Sequence, residues 1–388
     1  MRVFLVAGEP SGDRLGGALM EGLKTLVPEI EFDGVGGQLM QAQGLRSRFP
    51  MSELSVMGLV EVLPKFFHLK RRISETAQAV LDTKPDVLIT IDSPDFSLRV
   101  AKIVKANSKI RTVHYVAPSV WAWRPGRADK MAKVIDHVLA LLPFEPPYME
   151  RAGMECDFVG HPVVGEPTAT PDEIAAFRHR FDLGNAPILL ALPGSRRGEI
   201  ERLAESFGGA LGLFFDDHPN YRVVIPTVGA TTDLINELVP EWPGAPVVLD
   251  PRRVGAEQAM ADKRAAFGAA DLALAASGTV SLELAAQNTP MVIAYKLNWL
   301  TQKMAERMVK LDTVTLVNLV SETRAVPECL LDDCQPQKIA EALRKVADAP
   351  DAQQHAMNLT MDRLGRGGEA PGLRAARAVL NRMQPRNA

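Results

Sequence analysis

Cysteine is scarce: Cys156, Cys329 and Cys334 are the only three in 388 residues. Their spacing matches no metal-ligand pattern, and an odd count argues against a disulfide framework, so a reducing compartment is expected. Long apolar runs are missing too. No stretch approaches the roughly 18 residues that a membrane-spanning helix needs, and no charged leader or cleavage signal precedes the opening strand Val3-Phe4-Leu5-Val6-Ala7. A cytoplasmic chain that does not cross a membrane is expected. Nor is there an excess of one charge. The net charge of −3 gives no general attraction for nucleic acid, so affinity for phosphates or a membrane surface must be local. The histidines form no H-E-x-x-H set, and G-x-S-x-G, Walker and G-x-G-x-x-G patterns are all absent. Metal and serine-hydrolase chemistry are thereby disfavoured, and no cofactor or metal is expected.

What remains is an α/β alternation. At this length two domains are the default. Residues 2–7, Phe32–Val35, Val87–Ile91, Arg111–Val116 and Val138–Leu141 are short apolar or β-branched runs, separated by helical stretches such as Leu15–Leu26 and Arg71–Leu81. The second half repeats the pattern with Ile188–Leu192, Arg222–Ile225, Val247–Leu249, Leu272–Ala275 and Met291–Ala294. This reads as two Rossmann-like domains, each on a parallel sheet, facing a cleft. Gly165–Pro171 is the expected linker, and helix signals dominate after Pro336, with Leu373–Met383 the last amphipathic helix. The expected domains are 1–164, 165–350 and a helical segment 351–388.

Several constellations carry chemistry. Leu192-Pro193-Gly194-Ser195-Arg196 follows a buried strand and precedes a helix; outward backbone N–H groups, a hydroxyl and a guanidinium there suit a diphosphate. Ser277-Gly278-Thr279 opens a second such turn, with Glu283 placed to accept from ribose hydroxyls, although helix capping explains the same residues. In the first half, Gly8-Glu9-Pro10-Ser11-Gly12-Asp13 brings backbone close to a ligand at a strand end, or is only a tight turn. Asp92 and Asp95 close another strand; Asp92 suits a general base toward a sugar hydroxyl, and Asp95 suits either assistance or an N-cap. Trp121, Trp123 and Arg124 suit sugars and phosphates, against the alternative of a partly buried aromatic cluster. The segment 56–72, with Val56, Met57, Leu63, Phe66, Phe67, Lys70, Arg71 and Arg72, is both apolar and basic, which fits an acyl chain or an anionic bilayer surface as well as core packing. Leu297–Leu311 is a weaker segment of the same kind.

These blocks, in order over about residues 3–340, resemble the lipid-A-disaccharide synthases, glycosyltransferases of the GT-B class. The resemblance rests on Val6-Ala7-Gly8-Glu9 with Ser11-Gly12-Asp13, Ile91-Asp92-Ser93-Pro94-Asp95-Phe96, Pro118-Ser119-Val120-Trp121-Ala122-Trp123-Arg124, Leu142-Pro143-Phe144-Glu145, Gly160-His161-Pro162, Leu192–Arg196, Ala276-Ser277-Gly278-Thr279 and Asn318. Pro10 and the surroundings of Asn318 depart from the pattern.

It implies an inverting hexosyltransferase that condenses UDP-2,3-diacylglucosamine with 2,3-diacylglucosamine 1-phosphate, releasing UDP. It further implies peripheral contact with the cytoplasmic face of the inner membrane and a C-terminal helix crossing back to the first domain, and it leaves homodimer formation open. Asp92 and Asp95 would be catalytic. Ser11, Gly12, Gly194, Ser195, Arg196, Ser277, Gly278, Thr279, Glu283 and Asn318 would bind the donor. Val56 through Arg72 and the Trp121–Arg124 run would face the acceptor and membrane. The competing readings are another GT-B UDP-sugar transferase acting on a lipid-linked acceptor, a UDP-sugar 2-epimerase, and a non-catalytic nucleotide-sugar or lipid-binding protein.

Overall fold

The computed structural model describes residues 1–54, 59–122, 126–297 and 312–383, with the backbone alone for 59–66. Val56, Met57, Trp123, Arg124 and the segment 298–311 lie outside the described residues, as do the side chains of Leu63 and Phe66. The chain forms two units, Met1–Gly165 with Leu364–Ala388, and Glu166–Arg363. Among the described residues no helix is long and apolar enough to cross a membrane.

The first unit is built on strands β1 (Arg2–Ala7), β2 (Glu31–Val35), β3 (Val87–Ile91), β4 (Arg111–Tyr115), β5 (His137–Ala140) and β6 (Glu155–Phe158). They lie in the order β2-β1-β3-β4-β5-β6, parallel throughout. Apolar residues occupy consecutive strand positions because both faces are covered. Val3, Leu5 and Ala7 pack with Leu19, Leu23 and Val379 on one side. Phe4 and Val6 pack with Ile73, Ala77, Val100 and Val104 on the other. The side chains thus alternate between two helical layers, as the strand period requires.

The second unit repeats this with β7 (Ile188–Leu192), β8 (Arg222–Pro226), β9 (Val247–Leu249), β10 (Leu272–Ala276), β11 (Met291–Tyr295) and β12 (Glu328–Leu330). Their order is β12-β11-β10-β7-β8-β9, again parallel. Leu189, Ala191 and Leu274 share a core with Phe207, Leu211 and Phe214 of helix Arg197–Phe215 and with Ile339 and Leu343 of helix Pro336–Asp348.

Strands β6 and β12 were not expected. Each is an edge strand of three or four residues beginning Glu-Cys, too short and polar for the apolar pattern to announce. The C-terminal return also differs from the expected 351–388. Helix Asp351–Arg363 stays with the second unit, where buried Gln353 pairs its amide with both backbone groups of Met291 at 2.9 Å. The return begins at Leu364, and helix Pro371–Met383 then packs on helix Pro10–Leu26 of the first unit.

Candidate functional site

In each sheet the chain winds first to one side and then to the other. The reversal falls between β1 and β3 in the first unit and between β7 and β10 in the second. Open parallel sheets bind ligands at the carboxyl ends of such strand pairs.

In the first unit this brings the 8–13 turn beside Asp92. Ala7 and Ile91 are register partners, and a Cβ on Gly8 would lie 2.7 Å from the Ser93 hydroxyl, so a side chain there would have to push Ser93 aside. Ser11 is exposed in the first turn of helix Pro10–Leu26. Gly12 is buried, with the space for its missing Cβ bounded by Ala7 and the Ile91 carbonyl, and it lets the helix start approach the strand ends. Asp13 is buried as well, and its carboxylate accepts from the backbone N–H groups of Gly37, Leu39 and Met40. It caps the next helix and locks the turn.

Asp92 and Ser93 both hold left-handed backbone, at φ 51° and 44°, and Val116 at the end of neighbouring β4 has φ 88°. Such geometry in non-glycine residues costs of order 1 kcal/mol or more each and clusters at functional sites. Asp92 N–H donates to the Tyr115 carbonyl at 3.0 Å, Ser97 Oγ donates to the Asp92 carbonyl at 2.8 Å, and Asp92 Oδ1 accepts from Ser93 N–H at 2.8 Å. The turn is held from three directions, and the half-buried carboxylate is fixed in place. Asp95 is exposed in the first turn of helix Pro94–Asn107, so it favours the helix dipole whatever else it does.

Trp121 is only half-buried. Its indole N–H donates to buried Glu145 at 3.4 Å, and its ring meets Phe144 edge-on at 5.2 Å. Burial pushes the Glu145 carboxyl up to about 7, against the pull of backbone N–H groups and the Trp121 indole. Part of Trp121 is therefore committed to anchoring its own loop.

In the second unit the expected donor turns come together. Leu192 pairs with Ala275 across β7 and β10, which sets Gly194–Arg196 next to Ser277–Thr279. Gly194 has φ 121°, a conformation that glycine adopts without strain. Ser195 and Arg196 are exposed immediately before helix Arg197–Phe215. Glu199, which the sequence reading passed over, folds back to accept from Ser195 N–H at 3.4 Å and Arg196 at 3.1 Å. A glutamate three residues past the N-cap is a recognisable capping signal, so it was available. Thr279 precedes helix Val280–Ala286, and Glu283 within it pairs with Lys263 at 2.5 Å.

Lys263 also lines a cavity of ≈ 160 Å³ at the ends of β8 and β9, with Phe181, Thr227, Leu249, Arg253 and Val254. No motif marked this cavity, because its walls come from four separate stretches. Asn318 takes a different role from the one expected. It is fully buried, and its amide is used on Thr313 and on both backbone groups of Val326. Among the described residues its side chain is committed to holding that loop closed.

The basic segment divides in the same way. Phe67 is 80% exposed, with exposed Lys70 and Arg71 three and four residues on, hence on one helical face. Arg72 points elsewhere. It pairs with Glu53 at 2.7 Å and Glu75 at 2.8 Å and covers the Phe49 ring at 4.4 Å. Arg72 is therefore an internal clamp and not a surface cation.

A family model described as lipid-A-disaccharide synthetase matches residues 3–371. Lipid-A-disaccharide synthase of Ruegeria pomeroyi is 73% identical over 383 residues, covering 99% of this chain and 96% of that protein. The protein of the same description from Rhodospirillum centenum is 44% identical, covering 98% and 94%. Among solved structures, Staphylococcus aureus MnaA with UDP superposes with a TM-score of 0.64 at 12% identity, covering 97% of this chain and 94% of that one. The UDP-GlcNAc 2-epimerase from Neisseria meningitidis bound to UDP-GlcNAc gives 0.63 at 13%, covering 99% of each. At such identity these structures establish the shared two-unit fold of the GT-B class and no more. The sequence matches span nearly the whole chain, both switch-point turns included: the chain belongs to the lipid-A-disaccharide synthase family.

Proposed function

We infer that this chain is an inverting hexosyltransferase that condenses UDP-2,3-diacylglucosamine with 2,3-diacylglucosamine 1-phosphate, giving the β-1,6-linked disaccharide 1-phosphate and UDP. The observation that carries the reading is 73% identity to a lipid-A-disaccharide synthase over 99% of the chain. The epimerase alternative has only a shared fold behind it.

The residue roles are our proposal. The acceptor 6-hydroxyl attacks the anomeric carbon as the bond to the diphosphate breaks. Asp92 takes the hydroxyl proton, and its doubly left-handed turn supports this by holding the carboxylate through the Ser93 N–H. Arg196, the N–H groups of the 194–196 turn and the neighbouring Ser277–Thr279 turn meet the charge developing on UDP. The backbone donors of these turns are fixed and act without reorganising as the reaction proceeds. Glu283 takes the ribose hydroxyls, and the cavity bordered by Lys263 takes the base. Asn318 supports the fold of this unit and makes no donor contact.

Phe67, Lys70 and Arg71 form the contact with acyl chains and with the anionic cytoplasmic surface of the inner membrane, an apolar ring flanked by cations. Incubation with both acyl sugars tests the reaction. Acceptor-dependent UDP release and a disaccharide product by mass spectrometry are expected; UDP release without the acceptor, or epimerised donor, would overturn it. Arg196→Ala must weaken UDP binding, and unchanged affinity removes Arg196 from the diphosphate.

A further inference from the structure

We propose that Glu199 is a built-in anion that occupies the diphosphate cradle and must leave it when the donor nucleotide binds. The inference rests on the donor-site reading above and concerns the control of that site. The Glu199 carboxylate accepts from the two donors that reading gives to phosphate, the Ser195 N–H at 3.4 Å and the Arg196 guanidinium at 3.1 Å. It sits against the bare backbone of Gly194, where a Cβ would lie 2.9 Å from both the Glu199 Cβ and Oε2. The Glu199 side chain is 15% exposed and that of Arg196 63% exposed. The anion is thus tucked into the turn, while the cation stays free to reorient.

The single Ser195 N–H can serve a carboxylate or a phosphate but not both, and a phosphate on Arg196 comes close to the Glu199 charge. Two like charges about 4 Å apart disfavour one another roughly fivefold even in water, and more when partly shielded. Alternative partners for the displaced carboxylate are close. Tyr295, at the end of β11, has its hydroxyl pushed up by burial first and then by the charge of Glu199, with Arg202 and Arg196 opposing. The Arg202 guanidinium lies alongside the same helical turn, 3.2 Å from where a Gly198 Cβ would be. The exchange makes the cradle selective. A diphosphate carries enough charge and enough acceptors to replace Glu199, whereas a monophosphate competes less well.

Glutamine can fill the same capping position, so Glu199→Gln removes the charge and keeps the helix start. The test is calorimetric titration of UDP and UMP into wild type, Glu199→Gln and Arg196→Ala, with thermal melts alongside. Glu199→Gln is expected to bind UDP roughly five- to tenfold more tightly. The gain should shrink as salt rises, the preference for UDP over UMP should narrow, and the melt should be close to wild type. Weakened UDP binding in Arg196→Ala together with unchanged or weaker binding in Glu199→Gln overturns the proposal while leaving the donor site in place. No effect of Arg196→Ala overturns the donor-site reading itself, and the proposal with it. Should Glu199→Gln not fold, Glu199→Asp withdraws the carboxylate by one methylene and must also tighten UDP; equal or weaker binding counts against the proposal.

Discussion

Asp92 offers a test in which fold and chemistry separate. Its φ of 51° and the 2.8 Å bond from Ser93 N–H to Oδ1 are both within reach of asparagine, which tolerates left-handed backbone and keeps an acceptor oxygen. Asp92→Asn therefore removes the charge and little else, and its stability should stay within about 0.5 kcal/mol of wild type. Asp92→Ala loses the hydrogen bond, about 0.5–1.5 kcal/mol net, and places a Cβ without polar compensation in a region that costs about 1–2 kcal/mol. A loss of about 1.5–3.5 kcal/mol in urea unfolding follows for alanine. Turnover should fall by about 10²–10⁴ in Asp92→Asn, the usual contribution of a general base, with UDP affinity by calorimetry unchanged. Near-normal turnover in the asparagine variant refutes the base assignment. Equal stability of the two variants refutes the strain argument, and lost UDP affinity in Asp92→Asn means that the turn serves donor binding.

The remaining expectations are shorter. Gly372 packs so closely on helix Pro10–Leu26 that a Cβ would meet the Ala18 carbonyl oxygen at 2.5 Å; Gly372→Ala should cost about 1–3 kcal/mol and raise hydrogen exchange in 371–383, and unchanged protection would contradict this docking. His114 and His161 are both held at about 4 by burial, whereas burial holds Glu145 at about 7. The histidines are neutral when folded, so their stabilisation is full above about pH 6.5 and is lost on acidification; Glu145 has the opposite sign, losing stabilisation as pH rises toward 7. Between about pH 6.5 and 4.5 the unfolded chain binds two protons on the histidines against one on folded Glu145, so acid should remove up to about 1.4 kcal/mol per pH unit, and Glu145→Gln should steepen that slope in urea titrations. An identical slope would refute the assignment of Glu145. Lys70→Glu with Arg71→Glu should lower binding to phosphatidylserine vesicles by at least about tenfold, each basic residue contributing about 1 kcal/mol at such a surface. Arg72→Ala should instead lower the melting temperature, because Arg72 is bound to Glu53 and Glu75; retained stability there would contradict the clamp.

Among the described residues, ten of the twelve strands and both switch-point turns were legible in the chain itself. A parallel strand covered on both faces has to be a short apolar run, and a glycine turn that ends it leaves a local mark. The family was legible for the same reason, since its blocks are local and follow one another in order. Strands β6 and β12 were not, because each has only three or four residues and opens on Glu-Cys, so no apolar run marks it. Partnership over long sequence separations was also hidden. Nothing local says that Arg72 clamps Glu53, that the amide of Asn318 is spent on Val326, or that Lys263 meets Glu283. Side-chain chemistry and strand pattern are written along the chain, so the sequence alone determined the two-sheet architecture and the kinds of group available at each turn. Which of those groups are free to meet a substrate, and which are already committed to a partner, only tertiary packing decided.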